Sequence, residues 1–144
     1  MKTTKITIIL ALLIIPQVFW SCIKEEPIIV PHVYVNFSIN LSLPQYYDLN
    51  AINNAIIYPN EGYDDNGIII YRKNLEEFFA FDATCPQHIE LSTAVTLDSD
   101  DSSNATCPDC ETTYSLLNFG QANNGHPLKR YRISLHGSLL RVYN

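Results

Sequence analysis

What this sequence has little of narrows it first. Lysine and arginine number 9 against 15 acidic residues, a formal charge of −6, and no run of them forms a stripe. The electrostatic term that supplies most nucleic-acid affinity is therefore missing, which argues against nucleic acid as a partner. No apolar run reaches the about 20 residues that a membrane-spanning helix needs. The longest, Ile6 to Trp20, has 15 residues and contains Pro16. No Ser, His and Asp arrangement and no glycine-rich phosphate loop is visible, so the chain reads as a carrier or binding module rather than an enzyme by itself. Helical periodicity is equally scarce. Only Tyr47 to Asn54 and Asn74 to Glu77 suit a helical turn, and neither is long enough to stand as a helix alone.

What is present begins with a segment of a different kind. Lys2 and Lys5 precede the apolar run, and small Ser21 sits before Cys22, the layout of a secretory signal over residues 1–21. Phe19-Trp20-Ser21-Cys22 resembles a relaxed bacterial lipobox, which makes Cys22 the lipidated first residue of the mature chain. Cys22-Ile23-Lys24-Glu25-Glu26 resembles the export tag of surface lipoproteins in Bacteroidetes-type bacteria. Both place the protein at the outer membrane, lipid-anchored and possible to display outside the cell. Residues 22–31, with Pro27 and Pro31, suit a short stiff tether. Removing Lys2 and Lys5 leaves 7 basic against 15 acidic residues, so the exported portion is acidic.

Residues 32–144 read as one domain, with 47% apolar and 11% aromatic content across the chain to fill one core. Val33, Val35, Phe37, Ile39 and Leu41 alternate with polar residues, a period of two that sends the apolar side chains to one strand face. Ala55 to Tyr58, Ile68 to Arg72, Phe78 to Phe81, Lys129 to Leu135 and Leu139 to Tyr143 are short, β-branched or aromatic, and bounded by turn residues. Asp65-Asn66-Gly67 and His136-Gly137 supply residues that tolerate positive φ, as tight turns require. The class is all-β, a small sandwich or barrel.

Four cysteines in an exported chain ordinarily suggest disulfides. With Cys22 lipidated, Cys85, Cys107 and Cys110 remain, an odd number, and with His88 they make the four ligands that a tetrahedral metal takes. Cys85-Pro-Gln-His88 and Cys107-Pro-Asp-Cys110 each let two side chains converge from one turn, stiffened by proline at its second position. Three occupants fit this pattern: an iron-sulfur cluster, a Cys3His zinc, or no metal with a Cys107–Cys110 disulfide.

The residues around these turns resemble the Rieske iron-sulfur family. Phe79-Ala80-Phe81-Asp82-Ala83-Thr84-Cys85-Pro86 is similar to that family's strand into its first ligand loop, and Pro127-Leu128-Lys129-Arg130-Tyr131 to its closing strand. Gly120-Gln121-Ala122 resembles the loop that covers the cluster. The resemblance spans about Gly67 to Asn144 and implies a Rieske-like domain with metal-binding loops over about 84–126. It also implies a 2Fe-2S cluster and one-electron transfer to a partner that the sequence does not name. The ligands depart from the pattern: Gln87 stands where the first histidine belongs, His88 lies one place later, and Cys110 replaces the second histidine. More thiolate lowers the potential relative to a true Rieske centre. His126, in the covering loop, is an alternative ligand to His88. No twin arginine is present in Met1 to Lys5, so export of the unfolded chain, with metal acquired afterwards, is expected.

Overall fold

The computed structural model describes residues 29–144. The signal segment, Cys22 and most of the tether lie outside the described residues. Val30, near the tether's end, is 1% exposed, so packing begins before His32.

Ten strands follow in order: β1 Asn36–Asn40, β2 Ala55–Tyr58, β3 Ile68–Arg72, β4 Phe78–Asp82, β5 Thr96–Leu97, β6 Asn104–Thr106, β7 Thr113–Ser115, β8 Gln121–Ala122, β9 Arg130–His136 and β10 Leu139–Tyr143. They form a six-stranded sheet in the order β1-β10-β9-β4-β3-β2 and a four-stranded sheet in the order β5-β6-β7-β8. The fold is all-β, as the sequence predicts.

The central strands explain the layering. Ile68-Ile69-Ile70-Tyr71 and Phe78-Phe79-Ala80-Phe81 show no polar alternation because both faces of β3 and β4 are covered. Ile68, Ile70, Phe78 and Ala80 join Val35, Ile39, Leu49, Tyr131, Leu140 and Val142 in one core. Ile69, Tyr71, Phe79 and Phe81 turn the other way, into a second core with Cys85, Val95, Cys107, Tyr114 and Leu116 beneath the small sheet.

The large sheet rolls around the first core. β1 and β2 are its opposite edges, yet the rings of Phe37 and Tyr58 stack with centroids 4.2 Å apart. A stacked aromatic pair adds about 0.5–1.5 kcal/mol to its area burial, so it clasps the open side of a barrel-like half. β9 and β10 join through a two-residue turn, Gly137-Ser138, with His136 opposite Leu139 and Gly137 at φ +60°.

Two local expectations shift. The turn predicted over Tyr47 to Asn54 is a 3-10 segment at Pro44–Asn50 that buries Leu49. Asn74 to Glu77 is a side-chain-capped turn: Asn74 Oδ1 accepts the N–H groups of Glu76 and Glu77, each at 2.9 Å, replacing the bonds a helix would make. The predicted ligand loops are in part the small sheet, whose strands of two or three residues fall below any periodic signal.

Candidate metal centre

The first cysteine is delivered by the end of β4. Asp82, fully buried, accepts the Thr84 N–H on Oδ1 at 2.9 Å. Its Oδ2 takes the Tyr63 N–H at 2.9 Å and the Tyr131 hydroxyl at 2.6 Å. Burial, then the bond to Asp82, pushes the Tyr131 phenol well above its ordinary value. Thr84 Oγ1 donates to the Tyr63 carbonyl at 3.2 Å and accepts from Asn66 Nδ2 at 3.0 Å. This network fixes the residues immediately before Cys85. The Cys85 N–H then bonds the Thr93 carbonyl at 2.8 Å, and the His88 N–H closes the turn onto the Cys85 carbonyl at 3.1 Å.

The second pair sits at the tip between β6 and β7. The Cys107 N–H bonds the Thr112 carbonyl at 3.0 Å and the Glu111 N–H bonds the Cys107 carbonyl at 2.9 Å. Glu111 adopts φ +58° to make the reversal.

The two turns bring three sulfurs together. The Sγ atoms of Cys85, Cys107 and Cys110 all lie within 4.8 Å of one another, with Cys85 and Cys110 at 3.8 Å. Cys85 and Cys107 are fully buried and Cys110 partly so, and all three are free thiols. The Tyr114 hydroxyl, also fully buried, is 3.2 Å from Cys85 Sγ, and Thr112 Oγ1 is 3.1 Å from Cys110 Sγ. Burial pushes the Cys107 thiol up to about 12. Burial acts in the same sense on Cys110, but the Thr112 hydroxyl and N–H and the neighbouring thiols outweigh it and hold Cys110 below the ordinary thiol value. Cys110 is thus primed to become the thiolate that metals require.

The histidines stand apart from this group. His88 is not one of the converging ligands. Its Nδ1 is buried without a hydrogen-bond partner and lies 4.0 Å from Asp109 Oδ2, which also receives the Thr93 hydroxyl. His126 is exposed, and it is its carbonyl that takes part, accepting from Gln87 Nε2 at 2.9 Å. Gln87 packs so closely on Gly125 that a Cβ there would lie 2.4 Å from Oε1. The residue standing in the histidine position therefore docks the first turn onto the 123–126 loop. In the expected covering loop, Gly120 to Ala122, Gln121–Ala122 pair as β8 with β7, and Gly120 lies against the Phe81 ring.

The donor set can be tested against an occupant. A zinc–sulfur bond of about 2.3 Å places tetrahedral sulfurs about 3.8 Å apart. The Cys85–Cys110 separation meets this, and Cys107 Sγ lies within 4.8 Å of both, so the three thiols can supply three of the four ligands of one ion. A two-iron cluster takes two protein ligands on each iron, and three thiols around one point leave that set incomplete. Tyr114 and Thr112 were not singled out in the sequence; the only signal was a hydroxyl-rich Thr112-Thr113-Tyr114 run directly after the second turn.

No protein-family model matches the chain, and no curated protein does. Among solved structures, it is similar to the ferredoxin of carbazole 1,9a-dioxygenase from Nocardioides aromaticivorans IC177, at 12% identity and a TM-score of 0.44 over 65% of this chain and 86% of that one. It is also similar to a Mycobacterium tuberculosis protein described as an NADH-dependent nitrite reductase small subunit, at 10% identity and a TM-score of 0.45 over 78% and 97%.

Proposed function

We propose that this chain is an exported lipoprotein of the bacterial outer membrane, anchored through Cys22, whose Rieske-like domain binds a transition metal through Cys85, Cys107 and Cys110. The observation that carries the reading is the convergence of three thiols, two of them fully buried, within 4.8 Å of one another, with Cys85 and Cys110 at the 3.8 Å that about 2.3 Å bonds to one tetrahedral ion give. Buried cysteines gathered from two separate turns without a disulfide among them are what thiolate ligation requires. Iron held this way would carry one electron at a time. Zinc in the same place makes the domain a structural or binding module.

A second reading, a cluster of two irons and two sulfides that transfers one electron to a redox partner, draws on the flanks Phe79 to Pro86 and Pro127 to Tyr131. His88 supports it, since its buried Nδ1 has no hydrogen-bond partner and in the neutral imidazole can offer its lone pair to a metal beside the first ligand turn. Cys85 and Cys107 would hold one iron, and Cys110 with His88 the other. The thiolate in place of an imidazole would lower the potential.

The test is metal and acid-labile sulfide content with a visible spectrum, on the chain from residue 23 onward supplied anaerobically with iron and sulfide or, separately, with zinc. One ion per chain without sulfide, lost on Cys107→Ser, supports the single-ion site. About two irons and two sulfides per chain would replace it with the cluster, and failure to bind either would overturn both. The anchor is tested apart from the metal: Cys22→Ser is expected to move the protein from the membrane to the soluble fraction.

A further inference from the structure

Charge on this acidic molecule is sharply segregated. No Asp or Glu follows Glu111, and none lies between residues 31 and 47. Those two stretches supply β1, β9 and β10, one half of the rolled sheet. The small sheet covers the other half, packing over Ile69, Tyr71, Phe79 and Phe81. The corresponding face of β9, β10 and β1 is exposed, and Arg130, Arg132 and Arg141 stand on it.

Register puts these arginines close together. Arg132 is opposite Tyr143 and Arg141 opposite Ser134, so Arg132 and Arg141 are diagonal neighbours, about 7–8 Å apart in a sheet of this kind. Among the described residues none of the three forms a salt bridge; the ion pairs are Lys73 with Glu77 and His88 with Asp109. Arg141 is held by a neutral acceptor, Asn36 Oδ1, at 2.8 Å from Nη2. Asn36 in turn donates to the hydroxyl of Tyr34, which is 80% exposed. Arg130 lies over the Phe79 and Phe119 rings, at 5.4 and 4.8 Å.

The tether joins the domain at this same edge. The Pro31 carbonyl receives Lys129 Nζ, and Val35 and Asn144 exchange backbone and side-chain bonds beside the Asn36–Tyr143 end of the sheet. Between Cys22 and Ile29 there are seven residue steps, a reach of at most about 25 Å. An anchor at Cys22 therefore holds Ile29 within that distance of the bilayer, with Pro31, bonded to Lys129 just before β9, two residues further on.

We infer that the β9–β10–β1 face is a docking surface for anionic lipid headgroups, on which Arg130, Arg132 and Arg141 meet phosphate and the exposed Tyr34 sits at the interface. The inference rests on the lipid-anchor reading for its geometry. Among the described residues, the charged groups facing the patch are these arginines and, at its β4 border, Lys73 and Glu77, whose charges offset each other in an ion pair at 3.0 Å. The surface orients the domain so that the acidic remainder points away from the membrane.

The test uses the unlipidated chain from residue 23 onward, which retains every described packing residue, so its result is independent of whether Cys22 is modified. Flotation is compared on vesicles of equal parts phosphatidylglycerol and phosphatidylcholine and on phosphatidylcholine alone. Binding to the charged vesicles only, weakened by salt, is expected. Each single Arg→Gln change should weaken it about fivefold and the triple change about a hundredfold. Glu90→Gln, far from the patch in sequence and with no described hydrogen bond, should not weaken it. Equal partition on both vesicle types, no flotation on either, or binding indifferent to the triple change would overturn the inference. A patch that bound only an acidic protein would give no flotation.

Discussion

Replacing Asp82 with alanine tests how the first cysteine is held in place. The carboxylate is fully buried and takes three hydrogen bonds, from the Thr84 and Tyr63 N–H groups and the Tyr131 hydroxyl, at 2.6–2.9 Å. Alanine leaves all three donors without an acceptor, the Thr84 N–H and Tyr131 hydroxyl buried and the Tyr63 N–H partly so. Each such donor costs about 1–3 kcal/mol, and partial relaxation at the strand end leaves about 3–5 kcal/mol in all. That is a large fraction of the about 5–15 kcal/mol typical of a domain. At about 4 °C per kcal/mol for a domain of this size, the Tm should fall by about 15 °C. Tyr131→Phe removes one donor, leaves the carboxylate two, and should cost about 1 kcal/mol. Urea unfolding of the metal-free protein measures both. Because Asp82 holds Thr84, and Thr84 adjoins Cys85, the alanine variant should also bind metal more weakly when folded. If Asp82→Ala lay within about 1 kcal/mol of the parent, or cost no more than Tyr131→Phe, the account of Asp82 as the anchor of the ligand turn would be refuted.

Further outcomes follow from the same geometry. Gly120→Ala should destabilise by about 2 kcal/mol, since its Cβ would lie 2.8 Å from the Phe81 ring at φ +74°, whereas Gly137→Ala, at φ +60° with open space, should cost about 1 kcal/mol; thermal melts separate the two. In the metal-free protein, iodoacetamide should label Cys110 first and leave Cys107 unlabelled until unfolding, because Cys110 is partly exposed with a lowered pKa and Cys107 is buried and raised to about 12; mass mapping reads the order. Cys107 favours its neutral form when folded, so its contribution to stability is full below the unfolded thiol value and is lost as pH rises toward about 12. Raised Tyr114 and Tyr131 act in the same sense, and denaturation midpoints measured from neutral to alkaline pH should fall steadily.

Much of the large sheet was legible because its strands carry their signal locally. β2, β3 and β10 fall on the predicted segments residue for residue, and β1, β4 and β9 shift only at their ends. The run Ile68 to Tyr71 marks a strand without saying which side is in, and the reason is that both sides are. The small sheet was not legible, since pairing such as Thr96 with Thr106 is set by the cores beneath it and not by a pattern within two residues. At the site, the spacing of Cys85, Cys107 and Cys110 pointed to ligands, and the structure brings those three together. It could not show whether His88 turns inward, because that depends on the local conformation of the Cys85–His88 turn and on Asp109 from the other loop. The basic face illustrates a different gap. Arg130, Arg132 and Arg141 are not a run in sequence, and only the β9–β10 register places them side by side. The absence of any Asp or Glu beyond Glu111 was the signal that could have revealed it.

The central claim is that three cysteine sulfurs hold one metal ion. X-ray absorption on the metal-loaded chain measures this most directly by counting sulfur neighbours and their distance. The account predicts three sulfurs at about 2.3 Å with one lighter neighbour, falling to two sulfurs in Cys110→Ser. A metal edge with no sulfur neighbours, or a chain that takes up no metal while all three thiols remain free to alkylation after unfolding, would contradict it.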